Sequence, residues 1–306
     1  MEIETIAQTV VVETTVSSSS FPVLGRWTLV KLLGSGATSQ VFLGVDQTTG
    51  KEAAVKIFKP DNRYSLHLMK SEAEMLQDVA HSNILSYIES YDATDFYDPT
   101  TGETKSVSAL VMEYAARGEL FDYLGENQYF AESVAREFFQ QLIDAISHLH
   151  EKNIAHRDIK LENILLDSRL NIKLADLGYS SYFNPQKLYR HPVGTSSYFA
   201  PEINAGLAFS VEKADLFAAA IVLFTLVAGH MPFASATDKD QMYNLLVQNQ
   251  QSSFWKFHGK MMKKKDENFQ FSSEFMDLMD KMFDVNPKKR LTLQEIKNHP
   301  WMGLKL

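Results

Sequence analysis

The 306-residue chain contains 45% hydrophobic and 11% aromatic residues, enough apolar material for a large core and for two compact parts. Its net charge of −8 argues against a nucleic-acid-binding surface, and the lack of cysteine excludes disulfides, thiol nucleophiles and thiolate metal sites. We therefore expect an intracellular protein, cytoplasmic or nuclear. The start of the chain carries no signal-peptide pattern, and the longest apolar run, residues 218–228, is too short to span a bilayer, so we expect no membrane association.

The first third of the sequence predicts mostly strands. Residues 1–20 end in four serines and favour a flexible tail. Three β-favouring runs follow, separated by turn-forming residues, and predict an antiparallel meander. Next come a helix with an imperfect apolar face, and two strands separated by a polar stretch that we interpret as an exposed insertion. The strands are predicted at 27–33, 40–45, 52–58, 84–90 and 106–113, the helix at 65–79 and the insertion at 92–105.

After Tyr114 the apolar residues recur mostly at helical spacing. Helices are predicted over 119–124, 131–152, 213–228, 273–283 and 293–298. The lysine-rich residues 260–265 are interpreted as a solvated loop. The fold class is therefore α+β. We predict a small β-rich part over 21–113, with one main helix, and a larger α-helical part over 114–306.

Polar residues are unusually dense on either side of two short apolar runs, 164–166 and 172–174. Asp158, Lys160 and Asn163 lie just before the first run, and Asp176 follows the second. Phosphoryl transfer needs such a set: a carboxylate to orient the attacking hydroxyl, oxygen ligands for Mg²⁺, and a cation near the transferred group. The alternative is a polar loop that only caps a hairpin.

A glycine-containing turn precedes a lysine that is flanked by apolar residues. Gly34 and Gly36 allow backbone amides to approach phosphate oxygens, and Lys56 lies on the strand after next. The alternatives are a plain hairpin turn and a lysine at a sheet edge. The helix that follows offers two carboxylate partners for Lys56, Glu72 and Glu74, which point about 200° apart around a helix. We choose Glu72, because it stands nine residues before His81, a spacing similar to that of the eukaryotic-type protein kinases, and we expect Glu74 to be solvated.

Together these motifs resemble the eukaryotic-type protein kinases. Further matching motifs, in chain order, are Val111-Met112-Glu113-Tyr114, His156-Arg157-Asp158, Gly194-Thr195, Ala200-Pro201-Glu202, Asp215, Asn286-Pro287-Lys288-Lys289-Arg290 and His299-Pro300-Trp301. The resemblance implies a bilobal fold with ATP between the lobes. We call residues 176–202 the activation segment, as in that family.

The resemblance also implies a role for each matching residue. Asp158 would orient the substrate hydroxyl or accept its proton, Lys160 would stabilise the γ-phosphate, and Lys56 with Glu72 would complete the catalytic set. Asn163 and Asp176 would ligate Mg²⁺. The remaining ATP-binding positions are Leu33, Gly34, Gly36, Val41, Ala54, Met112, Glu113, Ala115, Glu119 and Leu165. Glu202 and Arg290 resemble a structural pair that holds the activation segment.

Within the family, the chain is most similar to the calmodulin-dependent and AMP-activated group, and Lys160 with Thr195 is typical of serine/threonine kinases. Glu119 and Glu162 occupy positions that contact arginine in substrates of basophilic members. We therefore expect protein substrates with basic residues near the phosphoacceptor. The alternative is that both glutamates are solvated, with Glu119 near the ribose.

Three positions depart from the family pattern. Ser39 replaces the third glycine of the loop, and Leu177 follows Asp176 where phenylalanine is usual. His191 stands where many relatives carry an activating phosphothreonine, which Arg157 would bind. We expect either constitutive activity or activation through Tyr189, Ser181 or another neighbour.

Two other functional classes remain as alternatives. A pseudokinase that serves as a scaffold would not need all five of Lys56, Glu72, Asp158, Asn163 and Asp176. A small-molecule kinase would lack the Ala-Pro-Glu motif that belongs to the protein-substrate platform. The sequence therefore favours a protein kinase that uses Mg²⁺ and ATP.

Overall fold

The structure is a computed structural model that describes residues 21–36, 38–58 and 63–304, so the predicted tail over residues 1–20 lies outside the described part. The chain divides into two compact units. Of the described residues, one unit contains those up to Ala80 together with Leu85–Ala115, and the other contains His81–Ile84 and those from Ala116 onward.

Among the described residues, no helix combines the length and the apolar composition that crossing a membrane requires.

The first unit is built on a closed barrel of six strands in the order β1-β2-β3-β4-β6-β5. Its neighbouring strands pair antiparallel, and the predicted meander from β2 to β4 is confirmed. The strands are β1 Val23–Leu24, β2 Trp27–Ser35, β3 Ser39–Asp46, β4 Glu52–Phe58, β5 Tyr87–Asp98 and β6 Glu103–Met112. The helix α1, Arg63–Asp78, lies between β4 and β5 in the chain.

Apolar side chains from alternate positions fill the barrel, as expected for strands with one face buried. Trp27, Val55 and Val111 belong to one fully buried cluster, against which Phe42 and Phe96 pack. Burying such large side chains stabilises each by roughly 1.5–3 kcal/mol. This core fixes the strands that carry the glycine turn and Lys56.

Residues 92–105 are exposed or half-buried, as predicted, but the prediction that they form an insertion between the two strands is wrong. Strands β5 and β6 stay paired through most of this range, from Thr94 opposite Val107 to Asp98 opposite Glu103, with one irregularity between Tyr91 and Thr94. The turn is confined to the four residues after Asp98, where Gly102 adopts a φ of 71°. Polar side chains misled the prediction because an exposed strand pair can be polar on its solvent face.

The second unit is mainly helical. Its helices are α2 Leu120–Asn127, α3 Glu132–Glu151, α4 Pro201–Asn204, α5 Val211–Ala228, α6 Gln241–Val247, α7 Gln251–Lys263, α8 Ser273–Met282 and α9 Leu293–Lys297. Helix α5 is buried from Asp215 to Ala228, as its apolar sequence predicts. It begins at Ser210, whose side chain accepts a hydrogen bond from the Lys213 amide, and it ends at Gly229 in the left-handed conformation.

Two small sheets lie in the same unit. One has the order β10-β9-β7 and consists of β7 Gly118–Glu119, β9 Ile164–Leu166 and β10 Ile172–Leu174. The other pairs β8 Ile154–Ala155 with β11 Ser181–Tyr182. The strands β9 and β10 match the predicted apolar runs, so the predicted α+β class, with a β-rich unit and a larger helical one, is confirmed.

Candidate active site

The Asp158 carboxylate is buried and accepts hydrogen bonds from two residues of the second unit, Thr195 and Asn163. Its Oδ1 accepts from the Thr195 amide and hydroxyl, both at 2.8 Å, and its Oδ2 accepts from Asn163 Nδ2 at 3.1 Å. Lys160 Nζ lies 3.1 Å from Oδ2 and donates to the Thr195 hydroxyl at 2.9 Å. The predicted residues Asp158, Lys160 and Asn163 are therefore brought into direct contact, and a cation stands beside the carboxylate.

Asp215, at the start of helix α5, holds the backbone that carries Asp158. Its buried carboxylate accepts from the His156 amide at 2.9 Å and the Arg157 amide at 2.8 Å, and it contacts His150 Nε2 at 2.9 Å. Arg157 has a φ of 69°, a conformation that non-glycine residues rarely adopt. The two bonds from Asp215 fix this strained turn, so the orientation of Asp158 depends on a residue more than fifty positions further along the chain.

His156 connects the loop of Asp158 to the strand before Asp176. Its Nδ1 accepts from the Asp158 amide at 3.3 Å, so Nε2 carries the proton and donates to the Ala175 carbonyl at 3.0 Å. The Ala175 amide in turn donates to the Asn163 carbonyl at 2.8 Å. These bonds place Asp176 next to Asn163, so the predicted metal ligands lie on adjoining segments of one unit.

The chemistry of this donor set fits Mg²⁺. The Asn163 amide nitrogen donates to the Asp158 carbonyl at 2.8 Å as well as to its carboxylate, which orients the amide oxygen as the ligand atom. Asp176 contributes a carboxylate from a residue with a φ of 61°. Hard Mg²⁺ prefers a few such oxygen ligands together with substrate phosphates and water.

Lys56 and Glu72 form an ion pair inside the first unit. Lys56 Nζ lies 2.9 and 2.7 Å from the two carboxylate oxygens of Glu72, which is only 1% exposed. Glu74 is exposed, as the helical angle between the two glutamates predicts. The structure therefore selects Glu72 as the partner of Lys56.

The glycine turn connects β2 to β3. Gly34 pairs with Val41, and the Gly36 amide donates to the Ser39 carbonyl at 2.8 Å, so Ser39 takes part in closing the turn. Val41 in turn lies opposite Lys56 on β4. The register thus places the turn and the lysine on neighbouring strands.

The other predicted ATP-binding residues fall into one group per unit. In the first unit, Ala54 on β4 lies opposite Met112 on β6, and the Glu113 amide donates to the Ser86 carbonyl at 2.9 Å. In the second unit, Glu119 and Leu165 are partners across β7 and β9. The first unit also contains Leu33 and Ala115. Leu33 is exposed near the glycine turn, and Ala115 is buried just after β6.

Glu119 lies in an acidic environment. Burial raises its pKa, and the negative charges of Asp122 and Glu162 raise it further, while Lys160 opposes them. Glu162 is exposed. The carboxylates of Glu119, Asp122 and Glu162 therefore produce a negative potential in the second unit, close to Lys160.

Sequence reasoning missed part of the support around Asp158. Thr195 served only as a marker of the serine/threonine pattern, yet it makes two bonds to the carboxylate. Asp215 was noted only as one of the matching motifs, and His150 was not singled out. The available signal was an acidic residue, Asp215, directly before the long apolar run of helix α5, where a buried charge needs hydrogen-bond partners.

The chain is similar to known proteins. Residues 27–302 match the protein kinase domain family. The chain is 32% identical over 293 residues to CBL-interacting protein kinase 30 of Oryza sativa subsp. japonica, covering 94% of this chain and 56% of that protein. It is 30% identical over 284 residues to the probable serine/threonine-protein kinase MARK-C of Dictyostelium discoideum, covering 92% and 34%.

A third relative is CBL-interacting protein kinase 24 of Oryza sativa subsp. japonica, 32% identical over 283 residues, with 91% of this chain and 56% of the relative covered. The chain therefore spans only about a third to just over half of the length of these relatives.

Proposed function

Because the chain belongs to the protein kinase family, we propose that it is a serine/threonine protein kinase that transfers the γ-phosphoryl group of ATP to hydroxyl groups of protein substrates. The observation that carries this proposal is the buried Asp158 carboxylate, bonded to Thr195 and Asn163 and accompanied by Lys160 at 3.1 Å. A base or positioner, a metal-ligating amide and a cation are what phosphoryl transfer requires of a protein.

In this proposal each residue contributes by position and charge. Asp158 orients the attacking hydroxyl and accepts its proton, and Lys160 stabilises charge on the transferred group. Lys56, fixed by Glu72, holds the α- and β-phosphates, and the glycine turn covers them with backbone amides. The backbone of Glu113 and Ala115 binds adenine, and Leu33, Val41, Ala54, Met112 and Leu165 supply the apolar surroundings.

Asn163 and Asp176 would hold Mg²⁺, which, when bound, neutralises negative charge on the phosphates. The two ligands are kept at a fixed separation by the bond from the Ala175 amide to the Asn163 carbonyl. His156 supports the same geometry through its bond to Ala175.

We propose a preference for basic residues near the phosphoacceptor. The support is the raised pKa of Glu119, whose causes include the neighbouring carboxylates of Asp122 and Glu162 as well as burial. A substrate arginine or lysine relieves this like-charge repulsion, so its binding is favoured there.

A radiolabelled-ATP assay on a degenerate peptide library tests the proposal, with Asp158→Asn as the inactive control. We expect the parent to label serine and threonine peptides, with selection for arginine or lysine, and the variant to lose nearly all transfer. The Glu162→Gln variant should relax the basic selection while transfer continues. A parent that binds ATP and Mg²⁺ but labels no peptide would instead indicate a scaffold.

A further inference from the structure

Arg157 is the cation next to Asp158 that binds a phosphorylated activation segment in many kinases, and here its guanidinium donates to a hydroxyl and a backbone carbonyl of that segment. Its Nη1 donates to the Ser181 hydroxyl at 3.1 Å and its Nη2 donates to the His191 carbonyl at 3.2 Å. The side chain of His191 is exposed, and only its backbone oxygen is used. Both partners belong to the activation segment, so one guanidinium connects its two halves.

The charge of Arg157 is also compensated within the protein. Burial lowers its pKa, and the attraction of the Asp215 carboxylate opposes that shift. Asp215 is buried and accepts a hydrogen bond from the Arg157 amide at 2.8 Å, so its carboxylate is held beside this residue. A half-buried guanidinium with a nearby carboxylate and two oxygen acceptors needs no additional anion to remain in place.

The activation segment has further anchors besides Arg157. Tyr189 and Phe209 exchange two backbone hydrogen bonds of 2.8 and 2.9 Å, and the Tyr189 hydroxyl accepts from the Asn184 amide at 2.9 Å. The Tyr189 ring packs against a buried cluster that includes Phe183 and Phe209. At its end, the segment is held through Thr195 on Asp158. These contacts use hydroxyl and backbone groups of the segment itself.

We propose that Ser181 and the His191 carbonyl take the place of a phosphate on Arg157, so that the activation segment adopts its working conformation, and the kinase works, without phosphorylation of that segment. Ser181 is then a positioning residue whose hydroxyl accepts from Arg157. This inference rests on the proposed kinase function and specifies how that function is controlled. It also decides between constitutive activity and activation by a phosphate, in favour of the former.

The first test uses the full chain after phosphatase treatment, with intact mass spectrometry showing that no phosphate remains. Peptide phosphorylation should start without a lag and at the same rate as after preincubation with Mg²⁺ and ATP. Mass spectrometry at the end of the assay should still find residues 176–202 unmodified in the active protein. A lag that ends as phosphate appears on this segment would overturn the inference.

The second test measures order without requiring activity. Hydrogen exchange of the Tyr189 and Thr195 amides in the phosphate-free protein should be protected, because both are hydrogen-bonded. Ser181→Ala should speed this exchange roughly tenfold, the factor expected for one hydrogen bond to a charged group, and raise KM for the peptide. Ser181→Thr, which keeps the hydroxyl, should restore both values, and Gln186→Ala in the same segment is the matched control.

The two proposals can fail separately. If no preparation phosphorylates any peptide, the kinase function is wrong, and exchange alone then decides the inference about Arg157. If the enzyme is active but these amides are unprotected until a phosphate is added, the inference is wrong and the kinase function stands.

Discussion

Thr195 fixes the Asp158 carboxylate through two bonds, of which only one depends on its side chain. The Thr195→Val variant keeps the backbone amide bond and removes the hydroxyl that donates to Asp158 and accepts from Lys160. Loss of a hydrogen bond to a charged group costs about 1.5–3 kcal/mol, so we predict a fall in kcat of about 10- to 100-fold.

Steady-state kinetics on a peptide substrate measure this effect. Thr195→Ser keeps the hydroxyl and should retain most of the activity, while the melting temperatures of both variants should stay near that of the parent. Equal losses in the valine and serine variants would show that the methyl group, and not the hydroxyl, matters at this position.

Glu72 and Glu74 provide a matched pair on one helix. Glu72 binds Lys56 with both oxygens and is buried, whereas Glu74 is exposed. We predict that Glu72→Gln lowers kcat/KM for ATP by at least about tenfold, because the neutral amide no longer fixes the ammonium by charge-assisted bonds. Glu74→Gln should leave kcat/KM for ATP unchanged. Similar effects of the two substitutions would remove the role assigned to the pair.

The bond between Arg290 and Glu202 joins the loop before helix α9 to the short helix α4. Two parallel bonds of 2.9 Å connect the guanidinium to the carboxylate, and Arg290 is 1% exposed. Breaking a buried pair leaves an uncompensated charge, so Arg290→Met should lower the free energy of unfolding by about 3–5 kcal/mol. Urea unfolding measures this change, and the exposed Lys288→Met serves as control.

A double variant separates the charge effect from lost packing. Removing both charges in Glu202→Met/Arg290→Met should recover much of the loss, since an apolar pair of similar volume avoids the buried charge. Recovery should stay incomplete, because Arg290 also donates to the Asp284 and Lys213 carbonyls at 3.2 Å. A double variant that is less stable than the single one would contradict this account.

Elements with strong periodicity could be predicted from the sequence, and those defined by distant contacts could not. Helix α5 is almost entirely apolar after Asp215, and the strands β9 and β10 are apolar except for Lys173; all three were placed within two residues of their true ends. Helices α6 and α7 were missed. Helix α7 begins without a side-chain cap and includes Gly259, and residues 260–263, interpreted as a loop, form its last turn.

The same distinction applies to the candidate site, where residues of a local motif could be predicted and supporting residues from distant segments could not. Asp158, Lys160 and Asn163 occur within six residues and match a known motif, so the sequence alone is enough to find them. The bond between Asp215 and the Arg157 amide spans 58 positions, and the bonds between Thr195 and the Asp158 carboxylate span 37. No local pattern encodes such contacts, because they arise only when helix α5 and the activation segment pack against the loop.

At the scale of the whole molecule, the buried His258 and its half-buried neighbour His230 make folding sensitive to acid. His230 and His258 stack with ring centroids 5.1 Å apart, and His258 lies among the rings of Phe224 and Phe254. Burial and then the charge of His230 lower the pKa of His258 from 6.5 to about 3. Burial also lowers the pKa of His230, and Lys265 adds to that shift.

The direction of the pH effect follows from these lowered values. Above pH 6.5 both histidines are neutral in the folded and the unfolded chain, so their contribution to stability is fully present. Between pH 6.5 and about 3 the unfolded chain binds protons at His258 that the folded chain excludes, so stability falls as the pH falls. One histidine costs about 1.4 kcal/mol for each pH unit in this range.

We therefore predict that the free energy of unfolding falls when the pH is lowered from 7.5 to 5.5, and that this loss is roughly 1 kcal/mol larger in the parent than in the His258→Phe variant. The variant keeps an aromatic ring at this position but cannot titrate there. Urea unfolding at the two pH values measures the difference. His67→Gln, at an exposed position, is the control and should follow the parent. If His258→Phe loses as much stability as the parent does, then His258 is protonated in the folded protein as readily as in the unfolded chain, and its burial among the phenylalanines does not govern its charge.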